Sequence, residues 1–255
     1  MNDDLIAVSD ALAPELVLMP ADAADVCPLC RSGRTPSDQL CFSCERTTTQ
    51  VVRPCGLVVP ITYYTTPSRL RDRMHDYKQH ESAEVRAEES RHVASILARY
   101  VAEHHDALVA TFGSWDGVVA VPSTHHDDAP ALQAAVEANY PDVLGTFERP
   151  LILGPGEMSF NQAAEDGFEL ACGANIAGSR LMLIDDTYTT GARLHSAHHA
   201  IASVGAIVAV AIVVTRKINP DARYGSADLW DRQSAMPFSF TAPPWWSDGS
   251  AAPRR

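Results

Sequence analysis

Residues 181–193 read Leu181-Met182-Leu183-Ile184-Asp185-Asp186-Thr187-Tyr188-Thr189-Thr190-Gly191-Ala192-Arg193, and this stretch decides the fold. Four apolar residues in a row, bounded by polar ones, have the length of a strand buried on both faces. Two carboxylates follow at its carboxyl end, where open α/β sheets bind ligands. The hydroxyls and glycine of 187–191 make a short loop, and Ala192 opens a helical pattern. A helix N-terminus offers unpaired amides and positive potential, so it receives anions. The acids at one end suit hydroxyls or a hydrated divalent cation, and the loop at the other suits phosphate. A sugar phosphate satisfies both. The competing reading is a strand ending in a solvated Asp pair, followed by a helix capped by Thr190; the thirteen-residue pattern weighs against it.

Outward from that centre the same rhythm repeats. Strands are expected at 56–64 (GLVVPITYY), 117–121 (GVVAV, stopped by Pro122), 149–153, 179–184 and 206–215 (AIVAVAIVVT). Helical periods fall at 69–77, with Leu70, Met74 and Tyr77, and at 83–104, with Val93, Ile96, Leu97 and Tyr100 inward. Further helices are expected at 129–139, 161–172 and 192–204. Strands apolar on both faces and separated by helices predict an α/β, Rossmann-like domain with a parallel sheet covered on both sides. The expected organisation is a flexible N-terminal tail (1–25), a zinc-knuckle module (26–55), the α/β domain (56–218) and an irregular C-terminal tail (219–255). Trp245 and Trp246 are candidate anchors for that last tail. There are no internal repeats.

The second local signal is Cys27-Pro-Leu-Cys30 and Cys41-Phe-Ser-Cys44, two C-x₂-C pairs ten residues apart. Each pair can aim two thiolates at one point, and two pairs complete a tetrahedral S₄ site suited to Zn²⁺. Two disulfides or a redox C-x₂-C are the alternatives. Neither pair opens a helix after a strand, as a thioredoxin-like motif would. No neighbouring residue suggests an open coordination position, so the expected metal is structural. Cys55 and Cys172 lie outside the spacing and read as small core residues.

Composition bounds the rest. The chain has 255 residues, 46% hydrophobic and 20% charged, enough to bury a full core. No apolar run approaches the ~18 residues that span a bilayer, so membrane insertion is not expected. The N-terminus carries Asp3 and Asp4 without a basic region, which argues against a secretory signal and for a cytoplasmic location. Composition excludes mucin-like, collagen-like and disulfide-scaffold classes. The net charge of −12 does not steer the molecule toward nucleic acid, although Arg31, Arg34, Arg46 and Arg53 make the cysteine region locally basic. Only Lys78 and Lys217 are lysines, and the arginine excess fits a GC-rich coding bias. An isolated Lys78 is therefore a candidate for a role.

The segment 181–193 resembles the ribose-phosphate signature of type I phosphoribosyltransferases: four apolar residues, two acids, then a T-T-G loop. The order of a four-cysteine knuckle, a strand with Tyr63 and Tyr64, a helix ending near Lys78, Val121-Pro122, and Phe160-Asn161-Gln162 before the signature is similar to the competence-associated ComF/GntX-like members. The likeness covers roughly residues 26–217. It implies the type I phosphoribosyltransferase fold and a transfer of phosphoribosyl from phosphoribosyl pyrophosphate (PRPP) to a nitrogen acceptor with Mg²⁺. Asp185 and Asp186 would hold the ribose 2- and 3-hydroxyls. Thr187, Tyr188, Thr189, Thr190, Gly191, Ala192 and Arg193 would cradle the 5-phosphate. Pro122, Ser123 and Thr124, with Lys78 as a hood residue, would meet the pyrophosphate.

Some positions depart from that pattern. Arg193 stands where Thr is usual, either clamping phosphate or pointing outward. The turn after Pro122 carries His125, His126, Asp127 and Asp128 where the family tends to be basic, and Met158-Ser159 replaces an Arg-Gly. His125 and His126 are either phosphate donors or solvated loop residues. Phe160, Asn161 and Gln162 either dock the following helix or line the substrate side. A poor cation supply for pyrophosphate keeps a second class open: a non-catalytic ribose-phosphate-binding accessory protein in DNA uptake or nucleotide metabolism. Its partners would be single-stranded DNA or a protein of the competence machinery. A hydrolase of phosphorylated sugars, using the same acids around Mg²⁺, is a third.

Overall fold

The computed structural model describes residues 2–123, 130–221 and 226–247. The chain begins with α1 (Asp3–Leu12), and α2 (Phe42–Thr48) follows within the cysteine region. Next come β1 (Val59–Tyr64) and the helical pair α3 (Arg69–Gln79) and α4 (Ala83–Phe112). The middle holds β2 (Gly117–Ala120), α5 (Ala131–Asn139), β3 (Phe147–Glu148), β4 (Leu151–Leu153) and β5 (Phe168–Leu170). The chain then runs through β6 (Arg180–Tyr188), α6 (Ala192–Ser203), β7 (Ile207–Lys217) and α7 (Ala227–Ser234).

Five strands form one parallel sheet in the order β1-β7-β6-β2-β3. β6 lies at its centre, flanked by β7 and β2. Because strand side chains alternate, Met182 and Ile184 enter the core beneath α1, α3, α4 and α5. Leu181 and Leu183 enter the other, beneath α6 and the cysteine module. The expected α/β class with a parallel sheet covered on both faces is what forms.

Several local expectations change. The stretch 161–172 is not a helix. Asn161 takes a left-handed φ of 59°, Ser159 and Gln162 pair across it in an isolated antiparallel bridge, and the loop is pinned from outside by Gln50 Oε1 on Ala163 N–H (2.7 Å) and Ser196 Oγ on Ala164 N–H (2.9 Å). Its end becomes β5, paired antiparallel with β4 in a separate two-stranded sheet. The expected strand 149–153 is thereby split from the main sheet, whose edge is β3 instead. Cys172 is exposed, whereas Cys55 is buried.

The first residues are not a loose arm. Asn2 caps α1 by accepting from Asp4 N–H, and Leu5, Ser9 and Leu12 form its buried face at helical spacing. Ser9 fits there because its hydroxyl donates to the Leu5 carbonyl at 2.7 Å. Val17 N–H then donates to Thr62 Oγ1 at 2.7 Å, tying the segment to β1. Within the C-terminal stretch, α7 interrupts what was expected to be irregular. Trp245 and Trp246 are both buried. Trp246 donates to the Tyr100 hydroxyl at 2.9 Å and packs on Phe112, with ring centroids 5.5 Å apart. Trp246→Ala should lower unfolding free energy by about 3–5 kcal/mol in urea titrations. A loss below about 1 kcal/mol would show that this segment lies outside the cooperative core.

Candidate functional site

β6 carries its acids further than the sequence implied: Asp185 and Asp186 lie within the strand, and it ends only at Tyr188. Alternation sends the two neighbouring carboxylates to opposite faces. Asp186 meets α3, accepting from the Tyr77 hydroxyl and pairing with Lys78. Asp185 faces α6, with Arg193 Nη2 4.0 Å away, and its Oδ1 accepts the Asp186 amide at 2.9 Å. Both side chains are buried, yet they line a cleft of about 460 Å³. The strand tip is covered at its sides and open at its end.

The electrostatics of the pair are asymmetric. Burial pushes the Asp185 carboxyl up to about 6; Arg193 opposes that shift and the Asp186 charge adds to it. Burial also acts on Asp186, but Lys78 and the Tyr77 hydroxyl outweigh it and hold that carboxyl below its usual range. One acid is thus strained by ionisation and the other stabilised by it.

The loop after β6 forms the cleft's second wall. Gly191, at φ +86°, is the N-cap of α6 and brings no capping side chain, so the first-turn amides lack both intrahelical and cap partners. Arg193 points neither outward nor into the loop. Its Nη2 donates to the Pro122 carbonyl at 2.7 Å, bridging the end of β2 to the Asp185 side. Tyr64, Lys78, Met158, Ser159 and an exposed Phe160 complete the wall. With no helix behind it to dock, Phe160 lines the cleft. Pro122 and Ser123 lie at the tip of β2; Thr124, His125, His126, Asp127 and Asp128 lie outside the described residues.

Behind the loop sits the cysteine module. The sulfurs of Cys27, Cys30, Cys41 and Cys44 are buried and lie within 4.8 Å of one another. Cys30 and Cys41 sulfurs are 3.6 Å apart. That separation is near the ~3.8 Å edge of a tetrahedron with Zn–S bonds of ~2.3 Å and far too long for a disulfide. Cys41 N–H also points at Cys27 Sγ (3.4 Å), as suits a thiolate. These residues fit one zinc ion. Of the knuckle's four arginines, Arg31 is buried and Arg34 half-buried, whereas Arg46 and Arg53 are exposed. Arg31 is buried against Asp22 and the Pro20 carbonyl, Arg34 bonds the Val26 carbonyl, and Arg53 bonds the Ala202 carbonyl.

Three residues not singled out by sequence complete the site. Tyr77 covers Asp186. His195 is buried, its Nδ1 accepting from Cys55 N–H at 3.2 Å, and burial pushes its pKa down to about 3, so the ring is neutral. Arg216, buried on β7, donates to the carbonyls of Tyr188 (3.0 Å) and Thr189 (2.8 Å). Tyr77 closes an expected helix and Arg216 lies one residue past the expected strand 206–215, but a sequence does not show which strand end a helix will cover. Compared with known proteins, the chain matches no protein-family model and no curated protein.

Two measurements follow from this geometry. Elemental analysis should give one zinc per chain, and chelation should unfold the cysteine module; a metal-free preparation with a chelator-insensitive spectrum would end that assignment. The two acids should behave oppositely in thermal melts. Asp185, with its raised folded pKa, stabilises fully only in acid and loses that contribution as pH rises through about 6. Asp185→Asn should therefore raise stability near pH 8, with the gain shrinking toward pH 4. Asp186, with its lowered pKa, contributes above the ordinary carboxylate range, so Asp186→Asn should cost about 1.5–3 kcal/mol near pH 8 by removing the charged acceptor of Lys78 and the Tyr77 hydroxyl. Equal effects of the two variants would contradict the asymmetry.

Proposed function

We propose that this chain is a type I phosphoribosyltransferase-like protein of the ComF/GntX kind. In this reading its cleft binds the ribose 5-phosphate portion of PRPP and passes phosphoribosyl to a nitrogen acceptor. The observation that carries the reading is the cleft itself: two buried carboxylates on one wall and uncapped helix-start amides on the next. Asp185 and Asp186 would accept hydrogen bonds from the ribose 2- and 3-hydroxyls. The amides at the start of α6 would take the 5-phosphate, with the helix dipole behind them.

Lys78 sits where a cation is needed. In this structure it neutralises Asp186, and on ligand binding it would be free to swing toward pyrophosphate. Arg193 fixes the Pro122 carbonyl and thereby the turn the pyrophosphate would face. Mg²⁺, entering with PRPP, would supply the positive charge that this turn lacks. During transfer the C1–O bond to pyrophosphate breaks, the acceptor nitrogen bonds C1 and gives up a proton, and positive charge grows on the ribose ring. Catalysis then rests on positioning and on the nearby carboxylate charge; no protein nucleophile is required.

The non-catalytic reading draws on one observation: Ser123 to Asp128 contains no lysine or arginine. Its DNA-binding form would draw on the knuckle's exposed Arg46 and Arg53, since Arg31 is buried. Calorimetry with PRPP and Mg²⁺ decides the binding claim. The double variant Asp185→Asn/Asp186→Asn should lose binding by at least about a hundredfold while keeping its fold, as expected for two charge-assisted contacts. Undiminished affinity would refute the assignment. Pyrophosphate release with amine and ring-nitrogen acceptors separates transferase from accessory protein, and salt-dependent retention of single-stranded DNA would favour the latter.

A further inference from the structure

The Tyr188 hydroxyl joins one of the four cysteines to the loop 187–191. Tyr188, the last residue of β6, is buried, and its Oη lies 3.2 Å from Cys44 Sγ and 3.1 Å from His195 Nε2. The protons can be placed by elimination. Because His195 Nδ1 accepts from the Cys55 amide, Nε2 carries the hydrogen and donates to Oη. The tyrosine's own proton is then left for the Cys44 sulfur, and a metal-bound thiolate is a good acceptor for it. Gly191 rests on the same hydroxyl; a Cβ there would overlap it. One oxygen therefore touches a cysteine of the knuckle, the first turn of α6 and the glycine that starts that helix.

A second set of contacts sets the direction of the loop peptides. Arg216 takes the carbonyls of Tyr188 and Thr189, and Thr47 of α2 donates to the Thr190 carbonyl at 3.2 Å. α2 is the helix that starts after Cys41 and contains Cys44. In a planar trans peptide the carbonyl and the following N–H point in opposite directions. Three successive carbonyls drawn inward thus turn the amides of Thr189, Thr190 and Gly191 toward the cleft.

We propose that Tyr188 is a positioning residue through which metal held by the four cysteines orders the anion-binding loop, making the cleft's affinity for a ribose phosphate dependent on zinc. The anion part rests on the function proposed above; the ordering part does not. If Tyr188 only filled space, phenylalanine would replace it without effect.

The test uses the full chain with its zinc content measured. Amide hydrogen exchange is followed in peptides covering 187–193, with peptides covering 208–214 of β7 as an internal reference. Removing zinc should deprotect 187–193 and leave 208–214 protected. In zinc-loaded Tyr188→Phe, the loop should exchange faster by on the order of fivefold, the weight of one net hydrogen bond. As a reciprocal readout, ribose 5-phosphate should raise zinc affinity in equilibrium competition with a chelator in the parent chain, and less so in Tyr188→Phe. Loop exchange in zinc-loaded Tyr188→Phe equal to the parent would overturn the proposal, as would a chain that binds no zinc. If stripping zinc also deprotects 208–214, the zinc-loaded variant alone decides. If loop exchange follows zinc but ribose 5-phosphate leaves zinc affinity unchanged, the ordering part stands and the zinc dependence of anion binding is overturned, while calorimetry with ribose 5-phosphate shows whether the ribose-phosphate reading fails with it.

Discussion

Two neighbouring carboxylates at the tip of β6 repel each other and lose hydration as they are buried, and the fold answers by sending them to opposite faces of the sheet. Period-two alternation does this without any special device. Asp186 receives a cation and a phenol from α3, while Asp185 keeps only a distant guanidinium and a backbone amide. Burying a carboxylate with imperfect pairing costs several kcal/mol. The four apolar residues before it, almost fully buried, each return roughly 1.5–3 kcal/mol. The strand's hydrophobic burial therefore holds its polar end in an unfavourable place, and that tension makes the tip a site.

The same logic extends to β7, the neighbour of β6. Arg216 is a buried charge within electrostatic reach of Cys30, Cys41 and Cys44, and its hydrogen bonds go to carbonyls at the end of β6 and in the loop after it. A zinc ion with four thiolates carries about −2, so a guanidinium nearby offsets part of that charge. The cation also lies near the Tyr188 ring, 4.9 Å from its centroid. Metal site, loop and strand are thus one electrostatic unit rather than a catalytic domain with a separate ornament.

Much of this could be read from local periodicity. The apolar run 181–184, the two C-x₂-C pairs and the helix at 192 are short-range patterns, and each stands where it was expected. All but one of the misreadings trace to long-range contacts. Residues 161–172 look helical until β4 takes Phe168–Leu170 as its antiparallel partner. The first helix was missed because a serine sits on its buried face, satisfied by the Leu5 carbonyl. Arg193 reads as a phosphate clamp or a surface group, and only the approach of β2 shows that it holds Pro122. His195 looks like any helical histidine; its role appears when Cys55, Tyr188 and Cys44 come together from three parts of the chain.

The phosphorylated ligand proposed above would meet an acidic chain, at −12. Range resolves the difficulty. At physiological ionic strength charges beyond about 8 Å are largely screened, so the acids scattered over the surface scarcely reach the cleft. What a ligand meets there is local: Lys78, Arg193 and a set of backbone dipoles fixed before binding. Preorganised amides need no reorganisation when an anion arrives, and they hold it without a surplus of basic side chains. The isolated lysine of an arginine-rich chain then makes chemical sense. Its compact, mobile ammonium can sit on Asp186 in one state and leave it in another, which a bidentate guanidinium locked to the same carboxylate would do less readily.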